Sequence, residues 1–211
     1  MGRKRDIEDE ALLAAARAVF VKKGFSATTR EIAARARISE AVIYQRHPTK
    51  ADLFFAAMVP PDLDVDALFA PPRTRASGRA SLESLALGIM EYFRKLVPVF
   101  LPLLNHPSFD FATFAHGRPD SPFGRLQRGL HERLDRLARD GVLSAAHLTG
   151  AALGLFSSLH FLAIVEKLHR HRIDDDAVRS IVRAFWDGLA PRVKRRGRGR
   201  HPAAHQRKRP G

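Results

Sequence analysis

The chain of 211 residues contains no cysteine. Disulfides and thiolate metal sites are therefore excluded, and the composition fits a reducing cytosol. No run of about 18 apolar residues stands out, so no membrane span is expected. The opening MGRKRDIEDE lacks the apolar segment of a secretory signal. No stretch alternates apolar and polar residues with period two, so no sheet is expected. Internal repeats are absent. GRGRHP at 197–202 lacks the strand and helix that a phosphate-binding loop requires. His160, His169 and His171 include no pair at i, i+4 spacing with a helical glutamate, so no metal site and no cofactor are expected. His131, Glu132 and Asp135 could suggest acid–base work, but such neighbours on an amphipathic helix usually form a solvated face. No catalytic constellation stands out, and an enzyme is not expected.

The distribution of charge carries the first positive hint. Residues 1–50 hold 11 Lys/Arg against 6 Asp/Glu, residues 51–190 hold 16 against 16, and residues 191–211 hold 9 against none. The body is neutral and the two ends are basic. Basic ends point to a polyanion, with nucleic acid ahead of a membrane surface. The plainer alternative for the tail is a solvated segment that keeps the chain soluble. With few apolar residues and no acid, residues 191–211 are expected to be disordered.

Helix dominates the rest. The apolar residues Leu12, Ala15, Ala16, Val19 and Phe20 predict a helix over 7–23, with Gly24 as its stop signal. Thr28 or Thr29 would cap a second helix, and Ser39 a third that ends before Pro48. Thr49 would start a fourth at Lys50. Residues 59–78, with two Pro-Pro pairs, read as an irregular connection. A helical pattern returns over 81–105, where Pro98 and Pro102 are expected to kink or end it. Residues 106–122 read as a loop. Residues 123–141 carry Leu126, Leu130, Leu134 and Leu137 on one face. Residues 145–171 and 174–190 read as the last two helices. The fold class is therefore all-α. The expected units are a helix-turn-helix DNA-binding domain over 1–52, a larger helical domain over 53–190 and the basic tail over 191–211.

The stretch TTREIAARARISEAVIYQRHPTK, residues 28–50, holds two short helices separated by a tight turn. Set in a major groove, the second would present Ser39, Glu40, Ala41, Tyr44 and Gln45 to base edges. Arg30 is long enough to reach a guanine edge. Thr29 and Lys50 sit at helix N-termini, where backbone N–H groups favour a phosphate. The bland alternative is an ordinary helical corner with a polar surface.

LLAAARAVFVKKGF followed by TTREIAARARISEAVIYQRHPTKADLF resembles the N-terminal domain of TetR-family transcriptional regulators over residues 12–54. The remainder matches that family only in outline. The resemblance implies phosphate contacts from Thr29 and Lys50 and a base contact from Arg30. It also implies base reading by Ser39, Glu40 and Ala41, and a tyrosine, Tyr44, packed on the DNA backbone. Three departures stand out. GFSATT is one residue shorter than the usual loop, Arg37 replaces the turn glycine, and Arg46-His47 replaces a common His-Phe pair. Arg37 and Arg46 are further candidates for phosphate contact.

The family also implies a ligand-binding and dimerisation domain. Small residues let helices approach closely, so Gly150, Ala151 and Gly154, with Val182, Phe185 and Leu189, are the candidate homodimer interface. Phe93, Phe100, Phe111, Phe114, Phe156 and His160, with Phe109, Phe123 and Phe161 nearby, are candidate walls for a small apolar effector. The same phenylalanines at helical spacing are also ordinary core. The function expected is a cytoplasmic bacterial regulator, nucleoid-associated when DNA-bound. It would be a repressor that a small hydrophobic effector releases from a palindromic operator. The alternatives are a helical interaction protein with a degenerate DNA domain and a nonspecific DNA binder driven by its basic termini.

Overall fold

The computed structural model of the chain describes residues 2–60, 62–70, 77–110 and 121–190. Among the described residues there are helices and turns but no strand. The order is α1 (Gly2–Lys23), a 3-10 turn (Gly24–Ser26), α2 (Thr29–Ala36), α3 (Glu40–Arg46) and α4 (Lys50–Ala57). The larger part follows as α5 (Val65–Phe69), α6 (Gly78–Leu104), α7 (Pro122–Arg139), α8 (Leu148–His169) and α9 (Asp175–Leu189).

Local chemistry sets the N-terminal boundaries. Gly24, at φ 61°, ends α1 in a left-handed conformation that glycine adopts without strain. Thr28, not Thr29, caps α2: its side chain accepts the Glu31 N–H while the Glu31 carboxylate accepts the Thr28 N–H. Thr49 and Asp52 form the same reciprocal box at α4. Ser39 caps α3 alone. Ahead of Pro48, His47 turns extended, as the residue before a proline prefers.

Two apolar clusters hold the fold. The first joins Leu12, Ala16 and Phe20 of α1 to Ile32, Ile43, Leu53 and Phe54, and takes in Val99 and Leu103 from the far end of α6. Fully burying a side chain such as Phe20 or Phe54 contributes about 2 kcal/mol before conformational entropy is counted. The expected domain boundary at residues 52/53 falls inside α4, whose residues up to Ala57 belong to this cluster. The second cluster packs α6, α7, α8 and α9 around Phe93, Leu130, Phe156 and Val182.

Several sequence expectations need correction. α6 runs unbroken through Pro98 and Pro102. Each proline removes one helical hydrogen bond, but Leu96, Val97, Val99 and Leu103 are buried around them, and packing on two clusters outweighs that loss. The connection over 59–78 contains a short helix, α5, whose Phe69 lies over Gly129 of α7. A Cβ at Gly129 would come within 2.8 Å of that ring. α8 is long and apolar enough to cross a membrane by length and composition, contrary to the expectation from the sequence. One face of it is part of the core here, with Ala152, Leu155, Phe156, Leu159 and Ala163 buried.

One ion pair ties the larger part together. Arg94 of α6 donates to both carboxylate oxygens of Glu166 on α8, at 2.8–3.2 Å, and to the Ile173 carbonyl at 2.9 Å. Glu166 also accepts the Ile173 N–H. Burial pushes the Glu166 carboxyl up. The hydrogen bonds from Arg94 and Ile173, with the charges of Arg94 and Arg172, outweigh it and hold the carboxyl below 4.5. Both side chains are only 10% exposed. Removing one partner from such a pair strands a buried charge, whereas removing both does not. Arg94→Met is expected to cost about 3 kcal/mol in urea unfolding, and adding Glu166→Leu to recover most of it. Equal losses in the single and double variants would contradict this reading.

Candidate nucleic-acid interface

α2 and α3 meet at a turn whose geometry is set by Arg37. Its backbone is left-handed, φ 58° and ψ 42°. The Arg37 N–H donates to the Ala34 carbonyl and the Ile38 N–H to the Ala33 carbonyl, at 3.4 and 3.1 Å. This is the Schellman arrangement, which usually holds glycine at that position. Arginine therefore keeps the turn at a strain of about 1 kcal/mol. Its side chain is exposed.

A small polar cluster fixes how α2 and α3 cross. Thr29 is buried at the first turn of α2, and its hydroxyl donates to Glu40 Oε2 at 2.6 Å. The Tyr44 hydroxyl lies 3.2 Å from the same Thr29 oxygen. Thr29 and Glu40 thus bind each other, so their first role is to set the helix angle. Around this cluster Arg30, Ser39, Ala41 and Gln45 are exposed, and Tyr44 is 45% exposed. These residues share one surface because α2 contributes its N-terminal end and α3 its outer face. At the edge of that surface the Lys50 ammonium sits 4.3 Å above the Phe25 ring, a cation–π contact that orients it.

Arg46 is placed differently from expectation. Its side chain is 16% exposed and its Nη1 lies 2.9 Å from Asp9 of α1. It holds α3 against α1 instead of pointing to a phosphate. Beside it, His47 has a buried Nε2 with no hydrogen-bond partner among the described residues. Lys23 is bonded to Glu31; that bond, with the Thr28 N–H, draws the Glu31 carboxyl down to about 2.

The effector candidates separate into groups. Phe156 and His160 of α8 and Phe123 of α7 line a cleft of about 210 Å³, with Leu153 and Phe161 at its rim. Phe93 is fully buried beneath it, 5.2 Å from Phe156 and 5.0 Å from His160. Burial lowers the His160 pKa, so the cleft wall is neutral at pH 7. Phe100 is not part of this group. It meets Phe109 at 6.3 Å where the two apolar clusters join. Phe111 and Phe114 lie outside the described residues. The dimer candidates also need correction. Val182 and Leu189 are buried within the chain's own core. Gly154 lies against Phe185 of the same chain, where a Cβ would meet the ring at 3.0 Å. Ala151 packs on the core, and Gly150 faces open space. The large exposed apolar side chains of α8 are instead Leu153, Phe161 and Leu168.

The family model for bacterial regulatory proteins of the tetR family matches residues 12–57. Residues 12–57 thus form a TetR-type N-terminal domain. It closes at Ala57, where α4 ends, and is a domain of transcriptional regulators. The whole fold is similar to that of NalD of Pseudomonas aeruginosa, the secondary repressor of the MexAB-OprM multidrug efflux pump. That likeness has a TM-score of 0.61 at 19% identity, over 89% of this chain and 98% of the other. It is also similar to a candidate TetR-family regulator from Mesorhizobium loti MAFF303099, with a TM-score of 0.59 at 17% identity over 88% and 98%. Identities this low speak for the fold. A search of curated proteins gave no significant match.

Sequence reasoning missed Asp9 and Phe25, which position Arg46 and Lys50 within this TetR-type unit. The acid in α1 and the aromatic after Gly24 were visible, but their partners are 37 and 25 residues away along the chain. The left-handed turn gives a direct test. Arg37→Gly is expected to raise stability by about 1 kcal/mol in urea unfolding, since glycine adopts φ 58° without the Cβ clash. A loss of stability would mean that the Arg37 side chain contributes more than the strain it imposes.

Proposed function

We propose that this protein is a homodimeric, sequence-specific transcriptional repressor that binds a palindromic operator in the cytoplasm and leaves it when a small apolar effector binds. The observation that carries this reading is the exposed set Arg30, Ser39, Ala41, Tyr44 and Gln45, held at one angle by the Thr29–Glu40–Tyr44 bonds. A preset angle allows α3 to lie in a major groove without an ordering cost at binding. Arg30 and Gln45 are the base readers, and Lys50 and Arg37 contact phosphates.

Leu153, Phe161 and Leu168 fall within one face of α8 by helical periodicity, and that face supports a two-fold dimer. A dimer places two copies of α3 on successive turns of a duplex, about 34–36 Å apart. The 210 Å³ cleft opens on the same face, with Leu153 and Phe161 in both. A molecule filling it would press on the dimer seam and alter the spacing of the reading helices. Its lining includes no charged side chain, which suits an uncharged apolar effector.

Arg30→Ala and Tyr44→Phe are each expected to weaken binding to a DNA fragment selected by the protein by about tenfold or more in gel-shift titration. Both should leave the dimer intact by sedimentation. Phe161→Glu is expected to shift the protein toward monomer and lower affinity with it. Unchanged affinity in the first two variants would refute the residue assignment, and an unchanged dimer in the third would refute the interface.

A further inference from the structure

His106 lies just beyond the end of α6, its N–H donating to the Leu103 carbonyl at 3.0 Å. Its side chain is 5% exposed, one of the two buried polar or charged residues among those described. Three rings surround the imidazole, and all three come from the DNA-reading unit. Phe25 of the 3-10 turn meets it at 4.3 Å, Phe54 of α4 stacks on it at 5.1 Å, and Phe55 meets it at 4.7 Å. The Nδ1 atom accepts the Ser108 N–H at 3.1 Å. The Nε2 atom is buried with no hydrogen-bond partner among the described residues. Phe25, which touches His106 on one side, carries the Lys50 ammonium over its ring.

We propose that His106 is a proton-sensitive latch: neutral, it docks the end of α6 on the DNA-reading unit and steadies Lys50; protonated, it leaves its aromatic box and affinity for DNA falls. This adds acid sensing to the regulator. It rests on the DNA-binding reading only for its consequence, not for the latch itself.

The chemistry follows from the surroundings. A charged imidazolium in this box would lose its water, and the added proton would sit on Nδ1, where it meets the Ser108 N–H that this atom accepts in the neutral ring. Aromatic faces can attract a cation, but the Phe25 face is already taken by Lys50, which repels a second charge. Lys50 of α4 is the charge felt at His106. Asp52 on the same helix is bonded to Thr49, and Asp110, four residues on, is exposed. Burial first and Lys50 second push the His106 pKa below 6.5. A lowered histidine pKa means that the undocked state binds the proton more readily. Docking therefore keeps its full strength above about pH 6.5 and weakens as pH falls below it, by up to about tenfold per pH unit.

The test uses the full chain. Because the protein has no cysteine, Lys22→Cys with Leu104→Cys provides two unique positions for spin labels, one on each side of the latch. Between pH 7.5 and 5.5 the label distance should lengthen or broaden, and with His106→Phe it should stay constant. Over the same range, affinity for a selected duplex should fall several-fold more in the parent than in His106→Phe. The ring of His106 in the parent, followed by NMR, should titrate below 6.5; this readout stands even if the variant folds poorly. A ring midpoint at or above 6.5, or parallel distance profiles in parent and variant, would overturn the latch. A distance change without a change in affinity would overturn its control of DNA binding. Loss of DNA binding at every pH would count against the DNA-binding reading alone, since distance and titration still judge the latch.

Discussion

A helical unit of about 50 residues buries too little apolar surface to be robust by itself. The N-terminal unit meets this constraint by borrowing from the body. Val99 and Leu103 of α6 enter its core beside Leu12, Phe20 and Phe54. The helices of the TetR-type unit are therefore stabilised by the same helix that packs against α8 and α9 at its other contacts. A shift of α6 would reach the reading unit directly, with no extra linker element. This is a physical route by which occupancy of the body could bear on DNA affinity.

Within the reading unit the ties are of two kinds. Apolar burial decides that the helices associate, but it is nondirectional and leaves their crossing angle loosely set. Direction comes from polar contacts: the left-handed Arg37 turn, the Thr29–Glu40–Tyr44 bonds and the Arg46–Asp9 pair. Each is directional, and each lies at the edge of the core, not in its middle. The exposed side chains are left over from this scaffolding, which is why Arg30 and Gln45 stand clear while Thr29 and Arg46 do not.

The helices and their caps were largely legible in the sequence, because their causes are local. Thr28, Ser39 and Thr49 cap as their positions suggest, and the Leu126–Leu130–Leu134–Leu137 stripe faces the core. What was not legible depends on residues distant in sequence. Arg46 read as a phosphate contact because its partner Asp9 lies a helix and a turn away. Val182 and Leu189 read as dimer candidates because a buried stripe has the same period whether it meets its own chain or a copy. Pro98 and Pro102 read as breaks because proline's local cost is visible while the burial around it is not. Phe100 and Phe156 have the same helical signature, yet one fills a junction and the other lines a cleft.

The most direct test is a selection of bound fragments from bacterial genomic DNA at physiological salt, with the full chain and with residues 191–211 removed. The expected result is the same short palindromic motif in both cases, with weaker overall retention when the basic tail is absent. Recovery of no motif, with binding lost along with the tail, would contradict sequence reading by residues 28–50 and leave nonspecific attraction as the only contact with DNA.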